Sequence, residues 1–223
     1  MTDDRKSGIA LMAGSLGGIL TIAIHPTSGL SLSTGQAEHL SLISGAAHSL
    51  AMLSVLFLFV GAYGLTKRIG TTDRIAFVAI VSYGFPCVAV LIATAVSGFI
   101  VPDIIRHMLR DVPTAAPQWR IVIDGIFQIN QAFSRIFSVA ASLAIILWSV
   151  SALRNGGLRR GVAIYGCVVA ALIITGIGIG HLRLDVHGMT VVALGQVIWY
   201  VLVGLQLYSQ PESQNESTIL RFI

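Results

Sequence analysis

The stretch IFSVAASLAIILW, residues 136–148, directly follows the stretch DGIFQINQAFSR, residues 124–135. The first stretch is apolar enough to lie inside a lipid bilayer, whereas the second is rich in polar side chains. Steps of three and four residues place side chains on one face of an α-helix. Together the two stretches therefore predict one long membrane helix that carries a polar stripe. The stripe consists of Asp124, Gln128, Gln131, Arg135, Ser138 and Ser142.

The rest of the chain has the same apolar character. Of its 223 residues, 55% are hydrophobic and 11% are charged, whereas soluble domains have about 25% charged residues. Its mean hydropathy is +0.83. A helix needs roughly 17 to 25 apolar residues to cross a bilayer, and six such runs occur. We therefore predict an all-α polytopic membrane protein, a bundle of six transmembrane helices. The runs are residues 8–24, 40–65, 75–101, 121–151, 161–180 and 188–208.

The domain organisation follows from how little chain lies outside these runs. Residues 1–208 are predicted to form a single transmembrane domain, and residues 209–223, which include the polar segment PESQNEST, a flexible cytoplasmic tail. The charged start before the first apolar run is also typical of a secretory signal peptide. That run is longer than the usual signal core of about 7 to 15 residues. We therefore expect it to be retained as a span, with a cleaved signal as the alternative.

The positions of Lys and Arg predict the orientation, because basic loops are kept in the cytoplasm. Nine basic residues lie on one side of the predicted bundle and four on the other. Both termini are therefore predicted to be cytoplasmic, in the plasma (inner) membrane. The net charge of +4 arises from these topology signals, so we predict no nucleic-acid partner. The nine are Arg5, Lys6, Lys67, Arg68, Arg74, Arg154, Arg159, Arg160 and Arg221.

The histidines gather on the opposite, outer side. All six fall outside the spans on that side or in the outer half of a span, and most acidic residues near the membrane do the same. Glu38 and His48 share one face of the second span, about 15 Å apart at the rise of an α-helix. This distribution predicts a polar cavity that opens outward. The histidines are His25, His39, His48, His107, His181 and His187.

Arg135 is the residue of the stripe that most needs an explanation. An arginine at the bilayer centre costs about 2.5 to 3.5 kcal/mol on insertion scales, so we expect a partner from another helix, with Glu38 and Asp185 as candidates. Our leading hypothesis is that the protein binds or transports a small polar or anionic solute, with proton coupling as one version. Arg135 would hold its charge and Gln128 and Gln131 would orient it. The predicted ligand-binding residues are Arg135, Gln131, Gln128, Asp124, Glu38 and His48.

Two other hypotheses remain open from the sequence. The segment HLRLDVHG, residues 181–188, supplies His181, Asp185 and His187 as predicted metal ligands. A transition metal such as zinc bound there would make the protein a membrane-embedded metal enzyme or a redox protein, so enzymatic activity is undecided. Alternatively, the polar stripe joins helices, and the protein is a structural or regulatory subunit of a membrane complex or a homo-oligomer. Membrane lipid is a partner in every case.

Overall fold

The structure is a computed structural model that describes residues 1–25, 34–110, 116–182, 184 and 186–209. Seven α-helices make up this part of the chain, and a π-turn, Val96–Ile100, joins the third to the fourth. The helices are α1 (Asp3–Ile24), α2 (Thr34–Ile69), α3 (Arg74–Ala95), α4 (Val101–Arg110), α5 (Ala116–Asn155), α6 (Arg160–Gly178) and α7 (Val186–Ser209).

Six helical segments are long and apolar enough to cross a membrane, and α3, the π-turn and α4 together count as one of them, Arg74–Arg110. The prediction of an all-α fold with six membrane-spanning helices is confirmed, and the chain is a multi-pass membrane protein. Large apolar side chains such as Leu56, Phe85 and Leu172 stay exposed on the outside of the spans, where lipid can cover them. Residues 210–223, most of the predicted tail, lie outside the described part of the chain.

The third span is longer than the sequence predicted. The apolar run ends near residue 101, and His107 was expected in a loop, yet the helix continues through Pro102 to Arg110. Proline has no N–H, and its ring collides with the carbonyl group four residues earlier. The wider π-turn just before Pro102 relieves this collision, with Val101 N–H donating to the carbonyl oxygen of Val96, five residues back. The span therefore continues instead of ending.

The six spans form a closed ring. Each span packs against the next one along the chain, and α7 returns to pack against α1. Contacts across the ring, between α2 and α5 and between α2 and α7, are sparse. Opposite helices therefore do not pack closely backbone to backbone, and their side chains fill the space between them.

The two ends of the ring differ in chemistry. We call one the basic end, where the basic residues of α1, α2, α5 and α6 lie, and the other the histidine end. The basic end holds a half-buried ion pair between Arg68 Nη1 and Asp4 Oδ2 at 2.7 Å. It also holds Asp73, which caps α3 by accepting from Ala76 N–H. Among the described residues, the basic side chains at this end are Arg5, Lys6, Lys67, Arg68, Arg74, Arg154, Arg159 and Arg160. At the histidine end lie His25, His39, His107, His181 and His187.

The main core fills the half of the ring nearer the basic end. Trp148 of α5 lies at its centre, with ring centroids 5.3 Å from Tyr83 of α3 and 6.2 Å from Trp199 of α7. The indole N–H of Trp148 donates to Thr66 Oγ1 of α2 at 2.9 Å. Four helices thus meet in one packed aromatic layer, which closes the ring on this side. A smaller cluster around Ile173 and Val192 joins α6 to α7 nearer the histidine end.

Candidate functional site

One face of α5 is polar along its length. Gln128, Arg135, Ser142 and Ser149 follow one another at seven-residue intervals, close to two helical turns, and so share one direction. Ser142 and Ser149 are fully buried at 0% exposure, whereas Gln128 and Arg135 are exposed. The same face is therefore covered in the basic half of the ring and uncovered in the histidine half.

Arg135 lies at the middle of α5, which runs from Ala116 to Asn155. Twenty residues separate it from Asn155, which is about 30 Å at the rise of an α-helix. A hydrocarbon core is also about 30 Å thick, so a boundary at Asn155 would bring Arg135 to the opposite boundary. The cost of an arginine at the bilayer centre stays a prediction.

Part of the polar stripe joins helices. Gln196 of α7 is buried and its Nε2 donates to the carbonyl oxygen of Ser138 at 3.3 Å and to Ser142 Oγ at 3.1 Å. Gln131 Nε2 donates to the carbonyl oxygen of Leu184, between α6 and α7, at 3.0 Å. These bonds join α5 to α7 and to the turn before it. The subunit hypothesis predicts this helix-joining role for the stripe. Gln131, Ser138 and Ser142 are thus occupied by contacts within the protein.

The exposed part of the stripe is different. Within the described ranges, the side chain of Arg135 makes neither a hydrogen bond nor an ion pair, and Glu38 forms no salt bridge with it. The other candidate partner, Asp185, lies outside the described residues. Asp124 and Gln128 are exposed on the same helix, further toward the histidine end. Among the described residues, the guanidinium group of Arg135 therefore has no charged or hydrogen-bonded partner.

His48 is the histidine that the fold holds most firmly. It is 4% exposed and lies on the inner face of α2, seven residues before the buried Val55. Its Nδ1 lies 2.7 Å from the carbonyl oxygen of Ser44, and because a carbonyl only accepts, Nδ1 carries the proton. Ser44 Oγ in turn donates to the carbonyl oxygen of Ser97 in the π-turn at 3.3 Å. The ring is fixed in one orientation and one tautomer.

The π-turn packs directly on His48. A Cβ atom placed on Gly98 would lie 2.4 Å from the Cβ atom of His48, so glycine alone fits there without a shift. On the other side, the ring of His25, at the end of α1, lies 5.1 Å from the His48 ring between centroids, at an interplanar angle of 65°. Three spans therefore meet at His48.

A cleft of about 340 Å³ opens beside the π-turn. On one wall of it, formed by α4, Asp103 Oδ1 accepts from Arg106 Nη2 at 3.0 Å. This places one acid and one base beside the uncharged wall formed by Ser41 and Gly45 of α2. The full lining is Ser41, Gly45, Gly98, Phe99, Ile100, Asp103, Ile104 and Arg106.

The sequence-predicted metal ligands are separated from this region along the chain. His181 and His187 are both exposed, and His181 Nδ1 lies 3.5 Å from the carbonyl oxygen of Ile179. Asp185 lies outside the described residues. In the part of the chain that the structure describes, no group of three or more His, Cys, Asp or Glu side chains could hold a metal ion. The ligand set His181, Asp185 and His187 therefore stays a prediction.

Sequence reasoning singled out His48 but missed its neighbours. One signal was available, because His25 follows Arg5 by twenty residues and His48 precedes Arg68 by twenty. α1 and α2 are adjacent and antiparallel, and Arg5 and Arg68 both lie at the basic end. Equal distances of twenty residues along the two helices therefore bring His25 and His48 to the same height in the bundle. Gly98, four residues before Pro102, was the corresponding signal for the π-turn.

Comparison with known proteins adds no further information about the site, since no protein-family model, no curated protein and no solved structure matches the chain.

Proposed function

We propose that this multi-pass membrane protein binds a small anionic solute at its histidine end, as the binding step of transport across the membrane. One observation carries the proposal. The polar face of α5 changes from buried at Ser142 to exposed at Arg135, and the side chain of Arg135 has no partner among the described residues. A guanidinium group forms paired hydrogen bonds to carboxylate or phosphate, which makes it a suitable anchor for such a solute.

The closed basic half supports transport over simple surface binding. Tyr83, Trp148 and Trp199 fill the ring on that side, while the side chains of Gln128 and Arg135 are exposed toward the other. A polar face that is buried at one end and exposed at the other suits one state of a carrier that exposes its site alternately. In this proposal the basic end is cytoplasmic, as the excess of basic residues there predicts. Glu38 and His48, on α2 in the histidine half, would supply any proton coupling.

The experiment compares Arg135→Leu with Arg120→Leu. Arg120 is exposed on the same helix but is not one of the residues that repeat at seven-residue intervals with Arg135. Purified protein in mild detergent is screened by thermal shift against phosphate, sulfate, succinate and glutamate. We expect stabilisation by at least one of these anions in the wild type and in Arg120→Leu, and its loss in Arg135→Leu. Equal stabilisation of a folded Arg135→Leu variant contradicts the proposal.

A structural role is the second candidate, and the bonds from Gln196 to Ser138 and Ser142 favour it. In that case the stripe holds helices together and Arg135 contacts a second protein in the membrane. Affinity purification from native membranes would then recover a stable partner with the wild type and lose it with Arg135→Leu. Anion binding would be the same in both forms, which separates this candidate from the first.

A further inference from the structure

A second cleft, of about 400 Å³, lies at the basic end, between the start of α3 and the end of α5. Arg74 lines it from α3 and Arg154 lines it from α5. Arg74 is the first residue of the third candidate span, and Arg154 is the last but one of the fourth, Gln118–Asn155. Two neighbouring spans therefore end at this cleft, each with an arginine. The full lining is Thr72, Asp73, Arg74, Ile75, Arg154 and Asn155.

The acidic side chain in the lining does not neutralise the two arginines. Besides capping α3, the carboxylate of Asp73 accepts from Ser151 Oγ and from Asn155 Nδ2, each at 2.7 Å. Among the described residues, the side chains of Arg74 and Arg154 form neither an ion pair nor a hydrogen bond. Two arginines and one aspartate give the cleft a net charge of +1. Both guanidinium groups can therefore bind an anion from outside the chain.

The surface of α3 next to Arg74 is apolar and exposed. Phe77, Val78 and Val81 follow Arg74 by three, four and seven residues, so they lie on its side of the helix. Their exposed fractions are 58%, 49% and 52%, and we call these three residues the α3 strip. Apolar side chains on the outside of a membrane span contact lipid acyl chains. Arg74 and the α3 strip therefore match the two parts of a lipid, a charged headgroup and the apolar chains attached to it.

We propose that the cleft at the basic end binds the headgroup of one anionic phospholipid. Arg74 and Arg154 hold the phosphate, because guanidinium groups form paired, charge-assisted hydrogen bonds to phosphate oxygens. The acyl chains lie along the α3 strip. Basic pockets between membrane helices are known to bind anionic headgroups. A zwitterionic lipid adds an ammonium group that the arginines repel, so the site selects lipids with a net negative charge.

The lipid site shares no residue with the proposed solute site around Arg135. Its residues are at the basic end, and the lipid contacts do not depend on which side of the membrane that end faces. The two proposals can therefore fail separately.

Native mass spectrometry of the full chain in a neutral detergent tests the proposal. The probes are phosphatidylglycerol and phosphatidylcholine with the same acyl chains, and we expect the wild type to retain one phosphatidylglycerol in preference to phosphatidylcholine. One basic residue near a membrane surface changes the affinity for anionic lipid about fivefold. Arg74→Gln and Arg154→Gln should therefore each weaken phosphatidylglycerol binding about fivefold, and the double variant about 25-fold.

The matched control is Arg160→Gln, which removes the same charge at the same end. Arg160 is exposed and does not line the cleft, so its loss should leave the binding of phosphatidylglycerol unchanged. Arg74 and Arg154 are exposed as well, and we expect all the variants to fold. Gel filtration and thermal unfolding without added lipid check this.

Four results would overturn the proposal. The first is equal binding of phosphatidylcholine and phosphatidylglycerol by the wild type, and the second is wild-type affinity for phosphatidylglycerol in a folded double variant. The third is an equal loss of binding in Arg160→Gln and Arg74→Gln, which would indicate a general attraction to the basic end. The fourth is stabilisation by inorganic phosphate without any bound phosphatidylglycerol, which would make the cleft a site for free phosphate.

Discussion

Gly98 and His48 pack so closely that a methyl group on the glycine would lie 2.4 Å from the Cβ atom of the histidine. The contact joins the π-turn to α2 in the histidine half of the ring. Neither atom can move easily, since one belongs to backbone and the other is the first carbon of a buried side chain. Any side chain at position 98 must push the third span away from the second.

We therefore expect Gly98→Ala to destabilise the protein, although alanine normally favours a helix over glycine. Overpacking of a closely packed site typically costs about 1 to 3 kcal/mol. Gly84→Ala is the matched control, because a Cβ atom there would meet nothing within 4 Å and the same helix should be unchanged or more stable. Thermal unfolding in detergent compares the two variants. A Gly98→Ala protein as stable as Gly84→Ala would show that the π-turn does not press on His48.

The interhelical bonds of Gln196 give a second stability prediction. Gln196→Leu removes the donor to Ser138 and Ser142 and leaves a buried hydroxyl without that partner. Hydrogen bonds between membrane helices contribute roughly 0.6 to 2 kcal/mol, so we expect a loss of about 1 kcal/mol in the free energy of unfolding. Gln128→Leu makes the same chemical change at an exposed site on α5, and it should leave stability unchanged. Chemical denaturation in mixed micelles measures both, and equal stabilities would contradict the prediction.

These two cases show what the sequence could and could not predict. The six helices were predictable because apolar runs of this length have no other stable form in lipid. The polar face of α5 was predictable from the spacing of its residues. Which part of that face is covered was not, because it depends on α7 and on the turn at Leu184, far along the chain. The meeting of His25, His48 and Gly98 likewise depends on three spans packing side by side.

Arg135 shows what the sequence pattern leaves undecided. The pattern predicts an arginine inside an apolar run, with the cost of an arginine at mid-bilayer. The helix Ala116–Asn155 is longer than a bilayer is thick, so that cost depends on how deep the helix lies in the membrane. The structure adds that Arg135 is exposed, whereas Ser142, two turns further along the helix, is buried.

The capping residue Asp73 predicts a pH effect at the basic end. Hydrogen bonds from Ser151 Oγ and from Ala76 N–H stabilise the carboxylate and hold the pKa of Asp73 below its ordinary value of 3.8. A carboxyl group with a lowered pKa in the folded state adds stability above its ordinary pKa, and this stability is lost as pH falls through the lowered value. We expect Ser151→Ala to reduce stability at neutral pH and to shrink the loss on acidification. Thermal unfolding between about pH 7 and pH 3 tests this, and an unchanged pH profile in Ser151→Ala would mean that the serine bond does not hold the carboxylate.

The orientation of the ring can be tested by cysteine labelling, and every assignment of function to the histidine end depends on it. In a background with Cys87 and Cys167 replaced by alanine, a single cysteine is introduced by His107→Cys or by Asn155→Cys, both at exposed positions at opposite ends. Because the basic end carries the excess of Lys and Arg, the positive-inside rule predicts that it is cytoplasmic. A membrane-impermeant maleimide should therefore label His107→Cys in intact cells and label Asn155→Cys only after the cells are broken. The reverse pattern would put Arg135 and the histidine end on the cytoplasmic side. The proposed solute would then have to be an intracellular one.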